Sequence, residues 1–151
     1  MSFLNQEILL KAMNYCAYQE RCHLEVRNKL YELGCKTDTV DEIMVKLIES
    51  NYLNEERFAK SYAGGKFRTK KWGRLRILKE LQLRKISDYC IKVAMREIDE
   101  GVYLETVEDL LIKYLPAQPT FNDRQKAMRY LMGKGYEPNL IKMVLDKISN
   151  Q

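Results

Sequence analysis

The sequence predicts an all-α protein: a tandem array of three three-helix repeats, elongated or curved. Three observations carry this expectation. The period-2 alternation of a half-buried strand is nearly absent, and the chain holds only three prolines. Apolar residues recur instead at three- and four-residue spacing almost throughout, the mark of helices with one buried face. Finally, one helix pair is written three times, at intervals of 51 and then 50 residues.

Taken in order, the first helix follows an Asn5 cap and places Ile8, Ala12, Tyr15 and Gln19 on one side, with Leu9, Met13 and Ala17 beside them. A second helix runs through Val26, Leu30 and Leu33 and stops at Gly34, a good residue for a left-handed end. A third carries Val40, Ile43 and Leu47 and fades at Ser50-Asn51. With Gly34, Lys85 and Gly135 taken as equivalent turns, Leu30, Leu81 and Leu131 align four residues earlier. The columns Val40/Ile91/Ile141, Ile43/Ala94/Val144 and Leu47/Ile98/Ile148 align downstream. Second helices then start near Cys22, Gly73 and Asp123, and third helices near Thr37-Asp38, Ser87-Asp88 and Glu137-Pro138, where proline suits a first turn. Each copy has a further helix before the matched pair, spanning roughly 6–20, 55–70 and 104–115. The units are therefore 1–51, 52–100 and 101–151. Glu100-Gly101-Val102-Tyr103 reads as a flexible joint, and Leu115-Pro116-Ala117-Gln118-Pro119 as a break within the third unit.

Composition narrows the functional class. An apolar fraction of 46% is too high for a disordered chain. No apolar run approaches the ~18 residues of a membrane helix. The segment Met1–Glu7 lacks the basic start and small-residue cleavage site of a signal peptide, so a soluble cytoplasmic protein is expected. Cys16, Cys22, His23 and Cys35 lack the paired short spacing of a structural zinc site, so no metal is expected, and the four cysteines, Cys16, Cys22, Cys35 and Cys90, read as reduced, mostly buried thiols. His23 has no evident nucleophile or carboxylate partner. Phosphate loops, dinucleotide fingerprints and zinc-protease motifs are missing from the sequence, which argues against an enzyme and against a cofactor. Gly64-Gly65 lies in a helical stretch and suggests a bend or close packing.

Charge is the informative signal. Between Lys60 and Lys85 ten Lys or Arg face one acid, Glu80, a net of +9, whereas the whole chain carries +5 and the remainder therefore −4. The basic residues cluster as Lys66, Arg68, Lys70 and Lys71 at one helix end, then Arg74, Arg76 and Lys79 on the next, with Phe67 and Trp72 between. Clustered cations neutralise phosphates and release counterions. Phe67 and Trp72 read as core, because tryptophan is usually well buried. Acids on the third helices, such as Asp41, Glu42, Asp88 and Glu97, argue against sequence-specific readout there.

The residues also resemble the RecX family of RecA-regulating proteins. Tyr52-Leu53-Asn54-Glu55-Glu56-Arg57-Phe58-Ala59 is similar to its GYLDDxRFA segment. Arg68 with Gly73-Arg74-Leu75-Arg76-Ile77 and Glu80-Leu81 is similar to its R…GxxRIxxEL stretch, followed by Arg84-Lys85-Ile86-Ser87. Leu131-Met132-Gly133-Lys134-Gly135-Tyr136 looks like its LxxRGF element, and Arg21, Glu25-Val26 and Lys29-Leu30 like its first-unit motif. Three departures stand out: Asn51 for glycine, Asn54 for aspartate, and Cys22 for a serine cap. The resemblance implies tandem three-helix repeats that bind along a RecA filament on single-stranded DNA and inhibit its ATPase and strand exchange, without catalytic residues. The expected function is thus a non-enzymatic, monomeric modulator of homologous recombination, DNA repair and the SOS response. Its DNA- or filament-binding residues would be Lys66, Arg68, Lys70, Lys71, Arg74, Arg76 and Lys79, with weaker contact to double-stranded DNA. Tyr52, Leu53, Phe58 and Leu81 are expected in the core of unit two, and Arg57 as a structural ion-pair or capping partner. The competing expectation is a stand-alone nucleic-acid-binding helical protein.

Overall fold

A computed structural model describes residues 2–149. The helices are α1 (Phe3–Tyr18), α2 (His23–Glu32), α3 (Thr37–Glu49), α4 (Glu55–Lys70), α5 (Arg74–Leu83), α6 (Asp88–Met95), α7 (Glu100–Tyr114), α8 (Phe121–Lys134) and α9 (Pro138–Ser149). Among the described residues there is no strand. Substantial helix-on-helix packing stays within the triplets α1–α3, α4–α6 and α7–α9. The fold is three three-helix units in tandem.

The repeat is written into the backbone of one turn. Gly34, Lys85 and Gly135 all adopt positive φ, at 92°, 60° and 102°. After each of them a buried residue donates its N–H back five positions: Cys35 to Leu30, Ile86 to Leu81 and Tyr136 to Leu131, at 3.1, 3.2 and 3.1 Å. The turn residue itself bonds three positions back, to Tyr31, Gln82 and Met132, each at 3.0 Å. This paired pattern satisfies carbonyls that a helix end would leave open. The aligned columns follow: all of those apolar residues are buried except Ile148, which is half-buried. A fourth positive φ, 62°, falls at Asn51, where the resembled motif has glycine. Asparagine tolerates the left-handed region better than most residues, so the departure keeps the turn.

Several starts differ from expectation. Ser2 rather than Asn5 caps α1, its hydroxyl accepting the Asn5 N–H at 3.1 Å, so the helix begins earlier and ends before Gln19. Thr120 caps α8 and Asp123 completes a reciprocal capping box, instead of Asp123 starting the helix. The largest correction concerns Glu100–Tyr103. It forms the first turn of α7, capped by Asp99 through the Val102 N–H at 3.0 Å, and Tyr103 is fully buried. An aromatic ring locked in the core leaves no joint there. The proline-bearing stretch 115–119 does separate α7 from α8.

Two apolar cores result. One holds Ile8, Ala12, Val26, Leu30, Val40, Ile43 and Leu47 of unit one, together with Leu53, against which Tyr52 packs. Tyr52 and Leu53 therefore close the core of unit one, not unit two. The other core runs continuously through units two and three, from Phe58 and Leu81 to Tyr136 and Ile141, and takes in Cys22 from unit one. On α4, Ala59, Ala63 and Gly64 are buried and the helix packs on α6; it runs unbroken through both glycines.

Glycine matters most at Gly73. A Cβ there would lie 2.3 Å from the Gly135 carbonyl carbon, and one on Gly135 would lie 2.4 Å from the Arg76 Cβ. Backbone meets backbone, so no side-chain rotation relieves the clash. Gly73→Ala should lower stability by about 1–3 kcal/mol, as overpacking does. Gly65→Ala, where a Cβ meets nothing within 4 Å, should raise it by about 0.5–1 kcal/mol. Urea unfolding midpoints of the two variants check both signs.

Candidate nucleic-acid interface

The basic residues surround a corner. Asn54 caps α4 by accepting the Arg57 N–H at 2.9 Å, and Glu55 and Glu56 occupy the first turn, where acids suit the helix dipole. Arg68 and Lys70 occupy its last turn, where cations suit it equally. The helix ends at Lys71, left-handed with φ 57°, and Gly73 opens α5 two residues later.

Unit three clamps this corner. The Lys71 carbonyl accepts the Tyr136 hydroxyl at 2.8 Å. The Gly73 N–H donates to the Lys134 carbonyl at 2.8 Å, and the Leu75 N–H to the Gly135 carbonyl at 2.9 Å. The Arg74 N–H donates to the Tyr103 hydroxyl at 3.0 Å. That hydroxyl in turn donates to Glu137. Burial pushes the Tyr103 phenol up, and the bond to Glu137 pushes it further. In the core beneath the corner, Phe67, Tyr103 and Tyr136 pack in series, with ring centroids 5.7 and 5.2 Å apart.

Arg74 belongs to this clamp. Its guanidinium lies 2.9 Å from Glu100, 3.1 Å from Glu137, and 3.9 Å from the centre of the Tyr103 ring. Burial alone would lower its pKa; the bonds to Glu100 and Tyr103 and the charge of Glu137 outweigh that and raise it. The sequence grouped Arg74 with the phosphate-seeking cations, yet the structure spends its charge between units. The other six differ. Lys66, Arg68, Lys70, Lys71, Arg76 and Lys79 make no ion pair among the described residues, and all but the half-buried Lys66 are exposed.

Trp72 also departs from expectation. Phe67 is core, but Trp72 is half-buried at the rim of the core, with cations upon it. The Arg76 guanidinium sits 4.2 Å from its ring centre and the Lys66 ammonium 5.1 Å. Lys66 also lies 5.5 Å from the Tyr62 ring, which Arg84 covers at 4.8 Å. Cations and rings thus alternate along one surface, each ring face attracting the charge above it.

On its other side unit two meets unit one through side chains. Arg57 Nε donates to Glu20 at 2.6 Å, and its guanidinium also reaches the Asn51 and Tyr52 carbonyls at 3.1 and 3.3 Å. Arg84 lies 3.8 Å from Glu25 and 2.8 Å from Glu80. Arg57 therefore holds the structural ion-pair place expected of it. Among the described residues, no group of three or more His, Cys, Asp or Glu is placed to hold a metal ion, and no helix is long and apolar enough to cross a membrane.

Fold and surface together define a tandem three-helix-repeat protein whose middle unit alone is strongly basic. Comparison with known proteins narrows this to a family. The first, second and third three-helix domains of RecX match residues 9–47, 54–95 and 102–145. The chain belongs to the RecX family. It is 23% identical over 143 residues to the regulatory protein RecX of Prosthecochloris aestuarii, covering 95% of this chain and 94% of that one. With RecX of Lactobacillus johnsonii it shares 26% over 140 residues, covering 91% of this chain but 52% of that one. The chain spans about half the length of that relative and of those from Listeria. The crystal structure of RecX from Lactobacillus salivarius superposes with a TM-score of 0.88 at 24% identity over the full length of both chains. That likeness shows the fold.

The clamp yields a prediction. Tyr103→Phe leaves the Arg74 N–H and Glu137 without a shared partner and should cost about 1–3 kcal/mol, the penalty of an unpaired buried polar group. Tyr31→Phe, whose hydroxyl makes only an exposed 3.3 Å bond to Thr37, should stay within about 0.5 kcal/mol of the parent in the same urea unfolding assay.

Proposed function

We propose that this protein is a non-enzymatic modulator of the RecA recombinase, chiefly an inhibitor. It binds the RecA filament on single-stranded DNA and suppresses ATP hydrolysis and strand exchange. Acting on such a filament places its work in the bacterial cytoplasm, and it needs no metal or cofactor to do so. The observation that carries the reading is the corner between α4 and α5. Six cations without ion pairs among the described residues, Lys66, Arg68, Lys70, Lys71, Arg76 and Lys79, surround a backbone turn clamped by unit three. A backbone held this way loses little further freedom on meeting phosphates, so more of the counterion-release free energy remains for binding. Membership of a family of regulatory proteins supports the recombinase as target. Arg74 contributes indirectly, by seating the corner on unit three.

The test is the RecA ATPase and strand-exchange assay on single-stranded DNA. Reversal of Arg68, Lys70 and Lys79 to Glu should abolish inhibition while helicity stays unchanged. Inhibition at parental strength would contradict the proposal. A stand-alone nucleic-acid-binding protein is favoured by one observation, the alternation of cations with Tyr62 and Trp72. It would bind naked single strands with a log K against log[salt] slope of about −3 to −4 for five phosphate contacts, and would leave RecA activity unchanged.

A further inference from the structure

The basic surface does not stop at the edge of unit two. The clamp that joins Gly73 and Leu75 to Lys134 and Gly135 lays the start of α5 beside the end of α8, and an open groove of about 330 Å³ runs between them. Arg76 and Lys79 form one wall; Met132 and Gly133 line the other side. Glu80, the one acid in the groove, is held by Arg84 at 2.8 Å. Gly133 is exposed, and a Cβ there would meet nothing within 4 Å. Backbone is therefore open to the groove without a side chain in the way.

Helical spacing continues the surface beyond the groove. Lys126, Arg129 and Gly133 stand at i, i+3 and i+7 on α8, hence on one face, and all three are exposed. Lys126 and Arg129 make no ion pair among the described residues. The one acid on that helix, Asp123, accepts the Thr120 N–H at 2.9 Å at its start; Lys126 is close enough to help hold its carboxyl below the usual range, while Arg129 lies further along. From Lys126 to Gly133 the face extends about 10 Å at ~1.5 Å per residue.

We propose that a single nucleic-acid strand bound by unit two crosses this groove and continues along α8, with phosphates on Lys126 and Arg129. The inference rests on the reading of unit two as a phosphate-binding surface and extends it into unit three. The ligand is identified by its chemistry: a flexible chain of monoanions that can bend over a glycine-floored groove and meet cations on both sides. The joint between units is then part of the binding surface as well as a structural seam.

The test uses the full chain and a fluorescently labelled single-stranded oligonucleotide, with anisotropy read across a salt series. Lys126→Glu with Arg129→Glu should weaken binding at least tenfold and flatten the salt slope by about 1.4, two contacts at ~0.7 each. Gly133→Glu, placing a carboxylate in open space, should weaken it in the same direction. A charge-matched control, Lys46→Glu with Lys142→Glu on α3 and α9, should change affinity less than twofold. If the α8 pair behaves like that control while the Arg68, Lys70 and Lys79 reversal abolishes binding, the strand stops at the groove and the extension is wrong. If that unit-two reversal also leaves binding intact, the reading beneath it fails too. Loss of RecA inhibition by the α8 variants with unchanged oligonucleotide affinity would assign the face to a protein surface and overturn the proposal.

Discussion

The α5 side of the basic face depends on one close approach, that of Gly73 to Gly135. Two backbones can meet this closely only where neither carries a Cβ, and the approach then lets the Gly73 and Leu75 amides find carbonyls in the turn between α8 and α9. Each such bond is worth about 1 kcal/mol net, but leaving its partners buried and open costs more, so the contact is strongly directional. It sets where α5 starts. From that start follow the positions of Arg76 against Trp72 and of Lys79 against the groove. Arg74 completes the seam by bringing a cation to Glu100 and Glu137.

The other junction is built differently. Units one and two meet through Arg57–Glu20 and Arg84–Glu25, and through Cys22 and Leu24 against the second core. These ion pairs are partly exposed, and such pairs contribute about 0–1 kcal/mol each and weaken with salt. Unit one also keeps its own core, closed by Leu53. Units two and three are thus joined backbone to backbone and share one core, whereas the first unit joins them through side chains, two ion pairs and the apolar contacts of Cys22 and Leu24.

The sequence showed the units because the repeat is local. Leu30, Leu81 and Leu131 sit four residues before their turns, and a spacing of four survives in a single chain of letters. Lys85 was found only through the repeat, since a lysine gives no sign by itself of a φ of 60°. The clamp was not legible, because it joins positions as far as 65 residues apart, Lys71 to Tyr136. The ion pairs of Arg74 are hidden for the same reason: charge is written at the residue, whereas its partners Glu100 and Glu137 are set by the fold. Tyr103 was hidden by neighbouring Gly101, which reads as a joint until Asp99 is seen to cap α7. Trp72 reads as core because tryptophan is usually well buried, and only the geometry shows cations covering its outer surface.

The central claim is that units two and three form one body through their backbones. Native-state hydrogen exchange of the Gly73 and Leu75 amides tests it most directly, because both lie before or at the start of α5, where helix amides lack intrahelical partners. The account predicts protection comparable to core amides of α5 such as Leu81. Exchange of both at the rate of exposed turn amides, with the cores of units two and three still protected, would contradict it.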